Sequence, residues 1–578
     1  MRNPIILCCF LWLCIIFIEV SGQCLEEQRS LLIQLKKELS VDYSTKSKLE
    51  SWSLTTDCCS WDGVACKHQT GHVIRLDLSS SSINGEFNSS SSLFSLRYLQ
   101  QLNLANNSFY PSPLPMGLQQ LLSLTHLNVS GSSFVGQVPL EISFLTRLVS
   151  LDLSNHFGYP MMLESPDLKG LIRNLTDLRE LYLDGIQISL TGSEWSKVLS
   201  LALPNLSVLS MSGCNLSGPI HPSLSQLKFL THLNLARNNL ISIVPDFLAN
   251  FSYLISLQLC SCNLYGRFPE NIFLIPTLRI LEICTNPQLT GSLPKFPPGT
   301  TLEVIRLSNM DFSGKLPDSI SNIAFLRNLQ IDDCSFIGSI TSSFQNLTEL
   351  VYLDLSWNNF SGLIPSLASS KKITGLILSN NGFTGTIPSS YGNDLKNLEI
   401  LNLRNNLLQG MIPSSLFTIP SIKLIALSGN RFSGQLQEFQ NASSSFLREI
   451  DLSQNELQGP IPNSIFKIRS LNHLSLSSNH FNGTIGVGMF DDFKHLAGLD
   501  LSDNNLSFNV SGSNSKTLPY ISRLRLGSCN IFEFPNFLRN QIHLFHLDLS
   551  NNRIGGALPN WGSRGWMLVA KQIEPLEI

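Results

Sequence analysis

Leu398-Glu399-Ile400-Leu401-Asn402-Leu403-Arg404-Asn405-Asn406-Leu407-Leu408-Gln409-Gly410-Met411-Ile412-Pro413 decides the fold once it is set beside Leu350-Val351-Tyr352-Leu353-Asp354-Leu355-Ser356-Trp357-Asn358-Asn359-Phe360-Ser361-Gly362-Leu363-Ile364-Pro365. Both obey one template, L-x-x-L-x-L-x-x-N-x-L-x-G-x-I-P, which recurs from Val73 to Pro559 at a spacing of about 24 residues, in about twenty copies. A period of that size means stacked coils, each burying its apolar side only against its neighbours. Leu401 and Leu403 flank polar Asn402, the period-two signature of a short half-buried strand, and stacked copies predict a parallel sheet. The template asparagine stands at Asn107, Asn238, Asn358, Asn381, Asn406, Asn430, Asn455, Asn479, Asn504 and Asn552. Its amide both donates and accepts, so turned inward it satisfies backbone groups of adjoining coils. Gly in G-x-I-P permits a bend, and Pro suits an irregular stretch outside any hydrogen-bond ladder.

Charged residues are 14% of the 578 and the net charge is −3, with no run of Lys or Arg. That balance excludes nucleic acid as a partner. Residues 1–22 read as a signal peptide: Arg2 opens it, Ile5 to Ile18 is apolar, and Val20-Ser21-Gly22 resembles a cleavage site. The apolar run falls short of the ~20 residues of a spanning helix, and no later segment reaches that length, so no membrane insertion is expected of this chain as given. Residues 23–70 form a cysteine-rich cap, 71–561 the repeats, and 562–578 a tail without the pattern or a second cap. The period lengthens near 157–203, where Ile188-Ser189-Leu190-Thr191-Gly192-Ser193-Glu194-Trp195 is inserted, and such insertions are expected as loops on one face.

Of 13 cysteines, Cys8, Cys9 and Cys14 leave with the signal. Cys24, Cys58, Cys59 and Cys66 form an even cluster in an oxidising compartment, which suggests two bridges. Cys214, Cys262, Cys334 and Cys529 occupy the asparagine position, where a small, burial-tolerant thiol donates weakly. Cys260 and Cys284 lie one repeat apart on backbones expected ~4.8 Å from each other. That spacing permits a disulfide while parallel side chains disfavour one, and the sequence leaves the pair open.

The N-terminal group reads Cys24-Leu25-Glu26-Glu27-Gln28-Arg29-Ser30-Leu31-Leu32, Leu49-Glu50-Ser51-Trp52 and Asp57-Cys58-Cys59-Ser60-Trp61-Asp62-Gly63-Val64-Ala65-Cys66. It resembles the cap of plant extracellular leucine-rich repeats, and with the G-x-I-P repeats the resemblance spans Cys24 to Trp561. It implies an α/β leucine-rich-repeat solenoid with the parallel sheet on its concave face, a short helix closing the first coil, and pairing of Cys24 with Cys58 and Cys59 with Cys66. Within that group the chain is similar to plant receptor-like proteins, the kind that includes wilt-resistance immune receptors. That family normally continues with further repeats, an acidic stretch, a transmembrane helix and a short tail without a kinase, whereas Gly562 to Ile578 departs from it. The implied function is extracellular recognition of a peptide or protein in plant defence or development, through a co-receptor kinase. The implied place is the apoplast for this chain, or the outer side of the plasma membrane for a longer form. Two alternatives stay open: a soluble inhibitor of a secreted pathogen enzyme, similar to polygalacturonase inhibitors, and a truncated decoy.

No G-x-S-x-G, H-E-x-x-H, phosphate loop or kinase motif occurs, so no catalytic residue, cofactor or metal ligand is assigned and an enzyme is not expected. Asp311-Phe312-Ser313 follows from the template. His126, His232, His473 and His546 come from different coils, too scattered for a metal. Glycosylation triplets fitting secretion begin at Asn88, Asn174, Asn205, Asn215, Asn250, Asn346, Asn359, Asn441, Asn482 and Asn505. Asn106, Asn128 and Asn509 match too, Asn128 poorly, because it points from a strand onto the ligand face. On that face most outward positions are Ser, Asn, Thr or Gly. Arg279, Glu282, Arg306, Gln330, Asp332, Asp333, Asp354 and Trp357 stand out as one expected patch from four consecutive coils, with Tyr182, Asp184 and Arg404 as outliers on either side. Trp, Tyr and Arg are the residue types that anchor interfaces.

Overall fold

The computed structural model describes residues 23–555 apart from 43, 45, 156–160, 166, 191, 443–444 and 510–518, together with the backbone of Met567–Val569. The signal-peptide reading of 1–22 therefore lies outside the described residues. Two compact units divide at Leu254 and Ile255. In the first, the strands Val73–Asp77, Gln101–Asn103, His126–Asn128, Ser150–Asp152, Glu180–Tyr182, Val208–Ser210 and His232–Asn234 pair in parallel, in sequence order. In the second, a ladder of the same kind runs from Ser256–Gln258 through Ile280–Glu282, Val304–Arg306, Asn328–Gln330 and Tyr352–Asp354 to His546–Asp548. Each rung sets template leucine on template leucine: Leu353 on Leu376, Leu376 on Leu401. Both leucine columns are buried, as the alternation predicts.

The asparagines turn inward and close their coils onto the preceding ones. Asn430 Nδ2 donates to the carbonyls of Leu403 (2.9 Å) and Leu427 (3.0 Å), while its Oδ1 accepts the N–H of Leu408 (3.1 Å). Asn286, fully buried, does the same with Leu259, Ile283, Cys262 and Leu264. Sequence reading missed it, although Leu278-x-x-Leu281-x-Ile283-x-x-Asn286 carries the template with one Ile for Leu.

Cysteine copies the asparagine with weaker groups. Cys334 Sγ donates to the Leu307 carbonyl at 2.9 Å and receives the N–H groups of Met310 and Phe312. Cys214 Sγ donates to Leu183 at 3.0 Å. Burial pushes the Cys334 and Cys529 thiols up to about 12 and raises that of Cys214, since a thiolate loses its hydration there.

The segment ahead of the template glycine, on which the sequence reading made no statement, is a second short strand. Asn359–Leu363 pairs in parallel with Gly382–Gly385, within a sheet of eleven such strands from Tyr265–Arg267 to Asn505–Asn509. In the first unit Gly136–Gln137, Met161–Leu163 and Gln187–Ile188 form its three-stranded counterpart. The signal was present: Phe360 is buried between exposed Asn359 and Ser361, and Phe336, Phe360 and Phe383 stack with ring centres 6.2 Å apart. Gly410 ends one of these strands at φ +80°, and a Cβ there would lie 2.9 Å from Thr386 Cγ2.

Three more regions refine the sequence expectations. In the cap, helix α1 (Glu26–Glu38) buries Leu32 and Leu35, and Gln28 Oε1 accepts the N–H of Val73, tying the helix to the first ladder strand. Cys24–Cys58 and Cys59–Cys66 are bridged, and Trp52 stacks on Trp61 at 5.4 Å. The insertion near 157–203 is no bare loop, because α2 (Leu168–Ile172) and α3 (Glu194–Ala202) pack on each other and bury Trp195 completely. The tail also departs from its reading as wholly outside the pattern: Met567–Val569 pairs in parallel with His546–Asp548. The open question at Cys260 and Cys284 is answered by a disulfide across a Cα separation of 4.4 Å.

Asn430→Ala orphans one N–H and several carbonyls and should lower stability by about 2 kcal/mol or more, measured as a shift in denaturant midpoint. Asn430→Cys should cost less. In the native protein a maleimide should leave Cys214, Cys334 and Cys529 unmodified at pH 8, and non-reduced peptide mapping should recover Cys260 linked to Cys284.

Candidate ligand-binding face

Outward side chains of the second unit's ladder stand in columns, because the parallel register places equivalent residues side by side. Glu282 pairs with Arg306, Arg306 with Gln330, and Gln330 with Asp354. The eight expected residues of these coils therefore do come together. Arg279 is tied to Glu303 (2.6 Å), and Glu282 accepts from Gln258 Nε2 (3.1 Å). Asp332 accepts from Ser308 Oγ and Asp333 from Asn309 Nδ2, one coil back. Arg306 is exposed and has no ion-pair partner among the described residues.

Trp357 is 62% exposed and sits at φ +53°. Left-handed backbone recurs at this place in other coils, mostly with Asn, Asp or Ser, such as Asn380, Asn405 and Asp503. Those residues tolerate it, whereas a tryptophan pays in conformational strain. The backbone imposes the conformation: Trp357 N–H donates to the Ser379 carbonyl (2.9 Å), and its own carbonyl accepts from Cys334 (3.1 Å).

Asp354 is spent on its own turn. Its Oδ1 accepts the N–H (3.0 Å) and hydroxyl (2.6 Å) of Ser356. Burial nevertheless raises its pKa above the ordinary value against those bonds, and nearby Asp332 adds to the rise. Sequence reading passed over Tyr352, a half-buried strand residue whose phenol is held protonated chiefly by burial. Its ring lies over Gly375, where a Cβ would come within 2.5 Å of Tyr352 Cδ2. Beyond it several outward positions are aliphatic and half-buried, Ile377, Ile400 and Leu424.

Arg404 belongs to a second charged group further along the same unit. It reaches Glu449 and Asp451, both at 3.0 Å, while Arg525 reaches Asp500 at 3.5 Å. His473 and His546 come from different coils, as expected, yet His473 Nε2 lies 3.1 Å from Arg523 and His546 Nε2 accepts from Arg525 at 3.3 Å. Only the 24-residue register could have revealed this grouping.

In the first unit, Tyr182 is half-buried beside Asp152 and Glu180, and burial raises the pKa values of Tyr182 and Asp152. Asp184 departs from the outward placement expected of it. It is buried and accepts from Ser210 Oγ (2.7 Å) and the Ser212 N–H (2.6 Å), so its charge is turned into the structure. Nine of the ten favoured glycosylation asparagines are exposed and Asn174 is half-exposed, while Asn128 is half-buried and accepts from Ser130. Among the described residues the one cluster with metal-ligand composition is Cys24, Cys58, Cys59 and Cys66, whose sulfurs are committed to bridges. No described helix is long and apolar enough to cross a membrane.

Residues 25–67 match the leucine-rich-repeat N-terminal domain, and leucine-rich repeats match at 205–227, 229–251, 349–370, 371–432, 446–468 and 543–564. Receptor-like protein 6 of Arabidopsis thaliana is 34% identical over 54% of this chain and 28% of its own length. Receptor-like protein Cf-9 of Solanum pimpinellifolium is 31% identical over 50% and 27%. The chain thus spans under a third of the curated relatives it matches. Among solved structures, the Arabidopsis receptor kinase HAESA in complex with the peptide hormone IDA and the co-receptor SERK1 shares 28% identity. It covers 94% of this chain and 93% of its own, with a TM-score of 0.74. The plant peptide hormone receptor RGFR1, in complex with RGF2, gives 25% identity over 89% of this chain and 83% of its own, with a TM-score of 0.62. Template, ladder and relatives agree on a leucine-rich-repeat solenoid behind a leucine-rich-repeat N-terminal cap, similar in sequence to plant receptor-like proteins.

Proposed function

We propose that this chain is the ligand-reading part of a plant cell-surface receptor-like protein, passing through the secretory pathway and working outside the cell. Its ligand is an extended peptide or a protein segment, held on the outward face of the second unit's ladder. The observation that carries this reading is that one stretch of consecutive coils presents both Arg306, a cation without an ion-pair partner among the described residues, and Trp357, a large exposed ring on strained backbone. Exposed Trp and Arg surrounded by polar neighbours make hot spots, and Glu282, Gln330, Asp332 and Asp333 supply those neighbours. The half-buried aliphatic residues Ile377, Ile400 and Leu424 accept aliphatic side chains of the same ligand. Solved relatives that carry peptide hormones, one with a co-receptor, support the choice of ligand class and of a kinase-bearing partner for the signalling step.

Peptides selected from a random phage-displayed library on the purified chain test the face directly. Arg306→Ala with Trp357→Ala should weaken the enriched peptides by about thirtyfold or more, with melting unchanged. Equal binding by the double variant would remove the patch. Asp354 bears on pH. Its raised folded pKa means that the charged form is disfavoured on folding, so its contribution falls as pH rises from about 4 through the folded pKa. Asp354→Asn keeps an acceptor for Ser356, as Asn128 does for Ser130. It should therefore raise the melting temperature at pH 7 and lose that advantage below about pH 4.

A further inference from the structure

A depression in the first unit is lined by Lys228, Phe229, Phe247, Asn250, Phe251 and Tyr253. Phe229 and Tyr253 are 54% and 56% exposed and, unlike the isolated exposed rings Tyr98 and Phe325, stand on consecutive coils. They hold the same place in consecutive coils, each just before a buried leucine, Leu230 and Leu254. Phe247 is fixed from below by an edge-to-face contact with buried Phe251 (6.2 Å, 87°). Asn250 ends the short turn Asp246–Asn250, is exposed, and begins the triplet Asn250-Phe251-Ser252.

We propose that this depression seats the N-linked glycan of Asn250, with the first N-acetylglucosamine laid on the rings of Phe229 and Tyr253. The inference rests on secretory passage, proposed above. A pyranose in the N-linked β form has one face made of axial C–H groups, which pack on an aromatic face as an apolar surface, while its hydroxyls stay at the wet rim. Lys228 supplies a polar rim here. A tethered sugar meets the rings at high effective concentration, so weak stacking suffices to hold it. A protein partner would have to cover the aromatics while stepping around a bulky glycan on the same rim, which disfavours that occupant.

The test compares sugar removal site by site in the full chain, secreted from cells restricted to high-mannose glycans. An endoglycosidase cutting between the first two sugars should act on native protein at least fivefold more slowly at Asn250 than at Asn482, which stands on an exposed strand. Phe229→Ser with Tyr253→Ser should bring the two rates together, as should denaturation of the unaltered chain. Asn250→Gln should lower the melting temperature of the unaltered chain and leave the double variant unmoved. Equal native rates at the two sites, or an unoccupied Asn250 beside an occupied Asn482, would overturn the seat. Absence of glycan at every triplet would overturn the secretory reading itself.

Discussion

Most described coils of the second unit are held to the one before by a buried side-chain amide. Asn430, Asn455, Asn479 and Asn504 repeat one arrangement, with Nδ2 on a carbonyl of the preceding coil at 2.9–3.0 Å and Oδ1 accepting that coil's N–H at 3.0–3.1 Å. Strands of three residues make too few ladder bonds to fix their own register, and leucine columns alone would tolerate slippage. A buried amide with donors and acceptors to satisfy admits one register. The 24-residue period of the sequence is the trace of that constraint.

Fixed register also decides which surface residues are available. Asp152, Asp354, Asp451, Asp500 and Asp548 all stand at the ends of ladder strands, yet each accepts the N–H of the residue two further on. A carboxylate bound into its own turn and half withdrawn from water has little left to offer a ligand. Charge alone is thus a poor guide to this face. On the proposed ligand face, residues outside the turn network, above all Arg306 and Trp357, are the ones whose side chains are left exposed.

This explains what was legible. The first sheet and the inward asparagines follow from periodicity, because burial acts on residue type at fixed spacing, whereas the cap was legible through its cysteine cluster and its resemblance to plant extracellular leucine-rich repeats. The second sheet was obscured by the Gly and Pro of G-x-I-P, though Phe336, Phe360 and Phe383 marked its buried column. Arg279 to Trp357 could be grouped by counting repeats. Tyr352 could not be valued, since its exposure depends on Gly375 in the next coil. Asp184 was misplaced because its partners, Ser210 and Ser212, belong to the following repeat.

Beside the amide ladder runs a second, covalent constraint. Cys262 stands at an asparagine position, and a thiol makes poorer bonds than an amide. The residue two before it, Cys260, is bridged to Cys284 in the next coil, closing a separation of 24 residues. Restricting a loop of that size removes about 3 kcal/mol of unfolded-state entropy in the chain model, comparable to the lost amide bonds. Cys284 follows directly on the strand that carries Glu282, the first rung of the Arg306 and Trp357 patch. The bridge thus adds a covalent tie to the amide bonds by which Asn286 already holds that rung to the coil before it, so that the proposed patch meets a ligand already ordered instead of being ordered by it.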